Sequence, residues 1–336
     1  MHRIAVIGAG YWGPNFVRIF SQLPNSEVAY VCDKRAERLA QMKLLYPLVN
    51  TTSRLEDVLE DDGVDGVVVA TPVATHHNVA KQVLEAGKHV LVEKPLCLST
   101  NDADDLIATS KKSGTVLMVG HTFLFTAAVN KVKDLLRDGE LGDIHYIASN
   151  RLNLGIFQED MNVIWDLAPH DISILHYVLE RDPIEVSAHG QSFIRKPIED
   201  VAFVTLRFPG DVVAHLHVSW LDPCKIRRTT FVGSKKMVVY DDIETLEKIR
   251  IYDKGVDVQP HYDTFGEFHL AYRFGDIFTP KLVDQEPLKA EAKHFLDGID
   301  QGKVTRGTAA EGRLVVRVLE AASESLEKNG AFIPLA

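Results

Sequence analysis

Near its start the chain carries a pattern that few folds can accommodate. An apolar strand, Arg3-Ile4-Ala5-Val6-Ile7, ends in Gly8-Ala9-Gly10-Tyr11-Trp12-Gly13 and runs into a helical stretch to about Leu23. Asp33 follows twenty residues past Gly13, closing a second apolar strand, Val28-Ala29-Tyr30-Val31-Cys32. Strand, G-x-G-x-x-G, helix and distal acid together form the context that a dinucleotide site requires. Gly8 permits the tight turn, Gly10 lets the backbone approach a pyrophosphate, and Gly13 allows close helix–strand packing. The phosphates would rest on the N–H groups of the helix start, bordered by Tyr11 and Trp12. Asp33 is expected to accept the adenosine ribose hydroxyls and so to favour NAD, although Lys34 and Arg35 directly after it offset part of the repulsion toward the 2′-phosphate of NADP.

The first third then alternates short apolar strands with helical stretches. Ser53-Arg54-Leu55-Glu56 reads as a capping box, and Gly66-Val67-Val68-Val69-Ala70 is a continuous apolar run, as a parallel strand covered on both faces should be. In open parallel sheets ligands bind beyond the carboxyl ends of the strands, which makes Thr71, Pro72 and the Thr75-His76-His77 helix start candidates for the cofactor border. Solvated histidines at a helix start are the alternative for His76 and His77. A Gly87 stop, the strand His89–Val92 leading into Glu93-Lys94-Pro95, a helix capped by Ser99, and the strand Val116–Gly120 complete about six strands. The expectation is a Rossmann domain over residues 1–121.

From 122 to 336 the pattern changes. A helix over Ala127–Asp138 ends at Gly139, and strands follow from Ile144 onward: Ile184–Gln191, Val201–Phe208, Val212–Trp220, Ile226–Val232 and Met237–Tyr240. Turns as short as Pro209-Gly210-Asp211 cannot join parallel neighbours, because a parallel crossover needs about a dozen residues or more. The fold class is therefore α/β for the first domain and α+β for the second, with a mainly antiparallel sheet. Two helices, about Leu288–Gln301 and Ala309–Asn329, precede a last strand at Ala331–Leu335; Thr308-Ala309-Ala310-Glu311 caps the second. Gly255–Glu286 lacks periodicity and reads as a functional loop or an oligomer arm.

Charge narrows the partners. With 37 Lys+Arg against 47 Asp+Glu and a net charge of −10, the chain offers no overall electrostatic surface for nucleic acid or an anionic membrane. Cys32, Cys97 and Cys224 are far apart, without a C-x-x-C pair, and the first strand comes at once, so the expectation is a reducing cytoplasm. No apolar run approaches the roughly twenty residues that span a bilayer.

Two clusters carry chemistry. Lys94 leaves the carboxyl end of a buried strand between Glu93 and Pro95, which should project its ammonium toward the place of a nicotinamide; the alternative is an ion pair with Glu93. Asp166 and His170, in Ile164-Trp165-Asp166-Leu167-Ala168-Pro169-His170-Asp171-Ile172, share one face if helical. Pro169 suits a first helical turn. A helix start there would favour neutral His170, the form that accepts a proton, whereas Asp166 would favour the cation. A satisfied structural His–Asp pair is the alternative.

These residues carry a resemblance. The glycine motif, Glu93-Lys94-Pro95 within the Gly87–Pro95 stretch, and Asp166-x-x-x-His170 resemble, over nearly the whole chain, the three signature regions of the Gfo/Idh/MocA oxidoreductases. The resemblance implies a C-terminal domain with a large open sheet used in homodimer or homotetramer contacts, and NAD(P)-dependent sugar or cyclitol chemistry. It also implies that Lys94 orients the substrate hydroxyl and the nicotinamide ribose, that His170 is the general base, and that Asp166 supports it. Gly10–Asn15, Trp165–Asp171 and Arg313–Ala322 resemble the nucleotide-sugar branch. Lys225, Arg227 and Arg228, after Trp220-Leu221-Asp222-Pro223, offer donors for a diphosphate, or else a solvated strand face; Arg151 and Asn153 are further candidates for substrate contacts. A family relative acting on a free sugar, cyclitol or keto-sugar and a non-catalytic NAD(H) sensor are the competing readings. His215 and His217 share a strand face that a metal could use, but no third ligand is spaced for it. The aromatics of His261–Phe265 and Phe274 read as packing, with a ligand wall or a subunit contact as the alternatives.

Overall fold

The computed structural model describes residues 1–257, 271–283 and 285–335. The chain divides into two compact units, Met1–Thr126 with Gln285–Glu320, and Ala127–Asp284 with Ala321–Ala336. The first unit alternates β1 (His2–Ile7), α1 (Gly13–Gln22), β2 (Ser26–Cys32), α2 (Ala36–Leu45), β3 (Asn50–Thr52), α3 (Glu56–Leu59), β4 (Gly66–Val69), α4 (His76–Glu85), β5 (His89–Glu93), α5 (Thr100–Ser113) and β6 (Leu117–Gly120). Among the described residues its sheet has six strands, all parallel, in the order β3-β2-β1-β4-β5-β6. Strand order therefore reverses at β1 and β4, the switch point where such sheets bind ligands. Ile4 and Val6 of β1, Val67 and Val68 of β4, and Val90, Leu91 and Val92 of β5 are all fully buried, as strands covered on both faces require, and this explains the unbroken apolar runs.

Local capping follows the sequence in two places and departs from it in a third. Ser99 Oγ accepts from the Asp102 N–H at the start of α5. The Thr308 box also forms, with the Thr308 N–H donating to Glu311 and the Glu311 N–H donating to Thr308 Oγ1. At α3, by contrast, Ser53 is not the cap: the helix begins only at Glu56, and Thr52 Oγ1 instead accepts from the Arg54 N–H and pairs with Asp57.

The second unit opens with α6 (Ala127–Arg137), β7 (Ile144–Leu154) and α7 (Val163–Leu179), followed by β8 (Glu185–Gln191), β9 (Val201–Arg207), β10 (Val213–Ser219), β11 (Leu221–Gly233), β12 (Met237–Asp241), β13 (Ile249–Asp257) and β14 (Ala271–Phe278). Then come α8 (Pro287–Gln301), α9 (Ala309–Glu327) and β15 (Ile333–Pro334). Nine strands among the described residues form the order β14-β13-β12-β11-β7-β10-β9-β8-β15. Every pairing is antiparallel except β7 with β10. That parallel pair is reached through α7, β8 and β9, a connection long enough to satisfy the crossover rule. The end of β13 and all of β14 fall within the stretch whose lack of periodicity suggested a loop; His261–Phe265 lies outside the described residues. Among the described residues no helix is long and apolar enough to cross a membrane.

Residues 285–320 belong with the first unit, where a division at 121 would have assigned them to the second. Phe295 and Ile299 of α8 would lie 3.1 Å from a Cβ on Gly66, so the missing side chain on β4 makes room for this helix. Gly307 O accepts from the Val119 N–H at 2.7 Å, along the edge of β6, and Arg18 pairs with Glu286 while Arg313 pairs with Asp104. An open sheet edge is thereby covered.

Candidate active site

The glycine turn is built as its spacing requires. Gly8 has φ of +97°, and a Cβ there would lie 2.5 Å from Ala70 O; at Gly13 it would lie 1.8 Å from Gly8 O. Gly10 differs, because the nearest atom to an added Cβ is Arg35 Nη2 at 3.8 Å. The first and third glycines are thus needed by the fold itself, and the second leaves open the approach that a pyrophosphate uses. A helix start carries N–H groups without intrahelical acceptors, and α1 begins at Gly13, directly after this turn. Tyr11 is exposed and Trp12 half-exposed, their rings meeting edge to face at 5.6 Å. These residues fit a dinucleotide.

Asp33 is 9% exposed and already occupied on both oxygens. Oδ2 accepts from the Ala9 N–H at 2.7 Å and from Arg35 Nη2 at 2.9 Å, while Oδ1 accepts from Arg35 N and Nε. The Arg35 hydrogen bonds hold its carboxyl down at about 2. Asp33 therefore ties the glycine turn to β2, and Arg35, which sequence spacing offered only as a counterweight to Asp33, is its principal partner.

At the carboxyl ends of β4 and β5 the first histidine of α4 acts as a strut. His76 is 1% exposed, with Nδ1 2.9 Å from Pro95 O and Nε2 2.8 Å from Thr71 O. It joins the two strand exits that carry Thr71, Pro72 and Lys94, and is buried there and not solvated as a residue at a helix start could be. Burial lowers its pKa even though carbonyl oxygens face both nitrogens. Glu93 is also buried, accepts from the Lys94 N–H at 3.1 Å, and is pushed by burial up to about 7. Glu291 of α8, fully buried, accepts from Thr122 Oγ1 at 2.9 Å; burial and then the Glu93 charge hold its pKa well above the ordinary carboxylate range. The sequence signal for Glu291 is an acid set among Leu288, Ala292 and Phe295 on an apolar helical stripe.

In the second unit α7 begins earlier than Pro169 suggested. Asn162 caps it, its Oδ1 accepting from the Ile164 and Trp165 N–H groups, and Pro169 lies inside the helix. His170 is two turns from the helix start, so the dipole argument for a neutral ring does not apply, because that effect fades within the first turn. Asp166 and His170 do occupy one helix at four-residue spacing. Asp166 Oδ2 accepts from Trp220 Nε1 at 2.9 Å.

The candidate substrate residues are dispersed. Arg151 is buried, with Nε 2.6 Å from Asp171 Oδ2, and Ser149 Oγ donates to the other oxygen of Asp171 at 2.7 Å. This arginine anchors α7 to β7 and is no surface donor. Arg227 pairs with Asp242 and Arg228 with Asp241; as consecutive residues opposite Arg151 and Asn150 in the ladder, they face opposite sides of the sheet. The expected basic cluster is therefore split, with Lys225 left exposed where the register of β11 shifts. Asn153 is half-buried near the end of β7. His215 and His217 lie against Phe203, with ring centroids at 6.0 and 4.3 Å, and among the described residues no group of three or more His, Cys, Asp or Glu is placed to hold a metal.

A Rossmann sheet with this glycine turn and acid, joined in one chain to a mainly antiparallel sheet, is the build of an NAD-dependent oxidoreductase. Residues 2–121 match the model of the oxidoreductase family with an NAD-binding Rossmann fold, and residues 129–239 match the GFO/IDH/MocA C-terminal domain; the chain belongs to the Gfo/Idh/MocA family. Among its relatives, UDP-N-acetylglucosamine 3-dehydrogenase of Acidithiobacillus ferrooxidans is 27% identical, covering 98% of each chain. Myo-inositol 2-dehydrogenase of Thermotoga maritima is 23% identical over 97% of each. The solved structure of the Acidithiobacillus enzyme superposes with a TM-score of 0.78 at 26% identity, covering 97% of this chain and 99% of that one.

Proposed function

We propose that the protein oxidises a hydroxyl of a nucleotide sugar to a ketone, with C3 of UDP-N-acetylglucosamine as the substrate position, in amino-sugar synthesis for a surface glycan. The observation that carries the reaction type is the Asp166–His170 pair on α7, with Asp166 held by an indole N–H. His170 takes the hydroxyl proton, Asp166 steadies the resulting imidazolium, and Lys94 orients the oxygen; positioned general bases of this kind contribute about 10²–10⁴-fold. Bound NAD supplies the hydride acceptor. Oxidation at C3 makes a ketone without disturbing the anomeric phosphate, which suits a following transamination.

Support for the nucleotide sugar comes from full-length similarity to the Acidithiobacillus enzyme. The split of Arg227 from Arg228 favours a second reading, a free sugar or cyclitol, as for the Thermotoga relative. Incubation with NAD and UDP-N-acetylglucosamine, followed by carbonyl trapping, separates the two. NADH and a trapped ketone are expected; neither, beside clear turnover of myo-inositol or a free sugar, refutes the nucleotide-sugar assignment. His170→Ala and Lys94→Ala should each lower turnover about 10²–10⁴-fold.

The working form is proposed to be a cytoplasmic homodimer or homotetramer joined through the second sheet. Exposed Tyr146, Phe203 and His215 on β7, β9 and β10 offer apolar area for this contact. Sedimentation of the purified protein as a monomer at micromolar concentration would refute it.

A further inference from the structure

Trp220 is the largest fully buried side chain among the described residues, and it sits where β10 passes into β11. Its backbone is pinned on both sides, the N–H donating to Asp200 O and its carbonyl accepting from the Gly155 N–H, each at 2.9 Å. The ring meets Phe157 edge to face at 5.8 Å. A Cβ on Gly155 would come within 2.9 Å of Trp220 Cδ1, so the chain leaves that side chain out where the indole lies. From this fixed ring Nε1 donates to Asp166 Oδ2 at 2.9 Å. Core packing alone does not require an indole: a phenyl ring would fill most of the space, whereas a buried indole N–H needs an acceptor. The acceptor it meets is a carboxylate one helical turn before His170.

We propose that Trp220 is a positioning residue for the acid–base pair: its N–H holds one oxygen of Asp166, fixing the carboxylate in the orientation that serves His170. The role rests on the acid–base reading of His170 given above. A carboxylate loses direction when a donor on a rigid, buried ring is taken from it, and the imidazolium then loses a well-placed counter-charge.

Trp220→Phe keeps a ring against Phe157 and removes the N–H. Followed by NMR in the resting protein, the titration of His170 should move to lower pH. Turnover should fall about ten- to a hundredfold, as for loss of a hydrogen bond to a charged group, with KM little changed. In an Asp166→Asn background the same change should add little, because the two residues act as one unit. Gly155→Ala, which displaces the indole while leaving its N–H, should shift the titration in the same direction by less, and it carries the test if Trp220→Phe does not fold. An unmoved His170 titration, or effects of Trp220→Phe and Asp166→Asn that multiply in full, overturns the proposal. Near-normal turnover of His170→Ala overturns the acid–base reading instead, and the NMR titration then still decides whether Trp220 positions Asp166.

Discussion

Replacing Arg151 by methionine isolates what this residue does. It is 6% exposed, and its guanidinium lies 2.6 Å from Asp171 Oδ2. Methionine fills similar volume but leaves Asp171, itself 4% exposed, as a buried carboxylate that keeps the Ser149 hydroxyl and loses its counter-charge. Breaking one partner of a buried pair costs about 3–5 kcal/mol. The second unit holds 158 residues in Ala127–Asp284 and 16 in Ala321–Ala336, 174 together, a size at which 1 kcal/mol moves Tm by about 2–4 °C. Arg151→Met should therefore lower the Tm of this unit by about 6–20 °C. Urea unfolding followed by tryptophan fluorescence reads the unit directly, because Trp165 and Trp220 belong to it and only Trp12 to the other. Adding Asp171→Asn should restore much of the loss, since removing both charges leaves no uncompensated ion. A loss below about 1 kcal/mol together with a tenfold rise in substrate KM would show that Arg151 reaches substrate, and the anchoring role would be refuted.

Gly10→Ala should leave Tm nearly unchanged but weaken NAD binding by calorimetry, whereas Gly13→Ala, with its Cβ 1.8 Å from Gly8 O, should fail to fold; equal effects of the two on stability would contradict the division of roles. Asp33→Ala should lose the preference for NAD over NADP and loosen the glycine turn, measured as NAD and NADP Kd together with amide exchange at Ala9. The buried Glu93–Glu291 pair gives a pH signature. A carboxyl raised from 4.5 to about 7 in the folded state binds more protons folded than unfolded, so stability falls as pH rises from about 4.5 to about 7, by about 3 kcal/mol in full. Glu291 acts in the same sense, and Glu291→Gln should flatten the fall in Tm between pH 5 and 8; an unchanged slope counts against the pair.

The first unit was legible because its signals are local. Gly8, Gly13 and Asp33 encode one turn within some thirty residues, and buried parallel strands announce themselves as runs such as Gly66–Val69. The place of Lys94 at the exit of β5 was legible for the same reason, being adjacent to its strand. What escaped the sequence was long-range pairing. Arg151 reads like a surface donor until Asp171 is brought to it across twenty residues, and Arg227 and Arg228 read as a cluster until the pleat sends them to opposite faces. Pro169 suggested a helix start because its ring fits a first turn, yet α7 takes its cap from Asn162 and carries the proline inside. The long connection that allows β7 and β10 to pair in parallel likewise has no signal in either strand alone.

The assignment of Gln285–Glu320 to the first unit has a consequence for synthesis. A nascent chain that has reached Thr126 holds all six strands of the parallel sheet, but β6 lacks the Gly307 contact on its edge and Gly66 lacks the cover of Phe295 and Ile299. At about 5–20 residues per second, α8 begins to emerge roughly 8–30 s later. The second unit also waits, since β8 has its β15 partner only once Ile333 and Pro334 have been made. Both units thus take their last piece from residues after 284, so a ribosome stalled before Gln285 would leave the first sheet complete but uncovered at β4 and β6, and the second sheet short of β15.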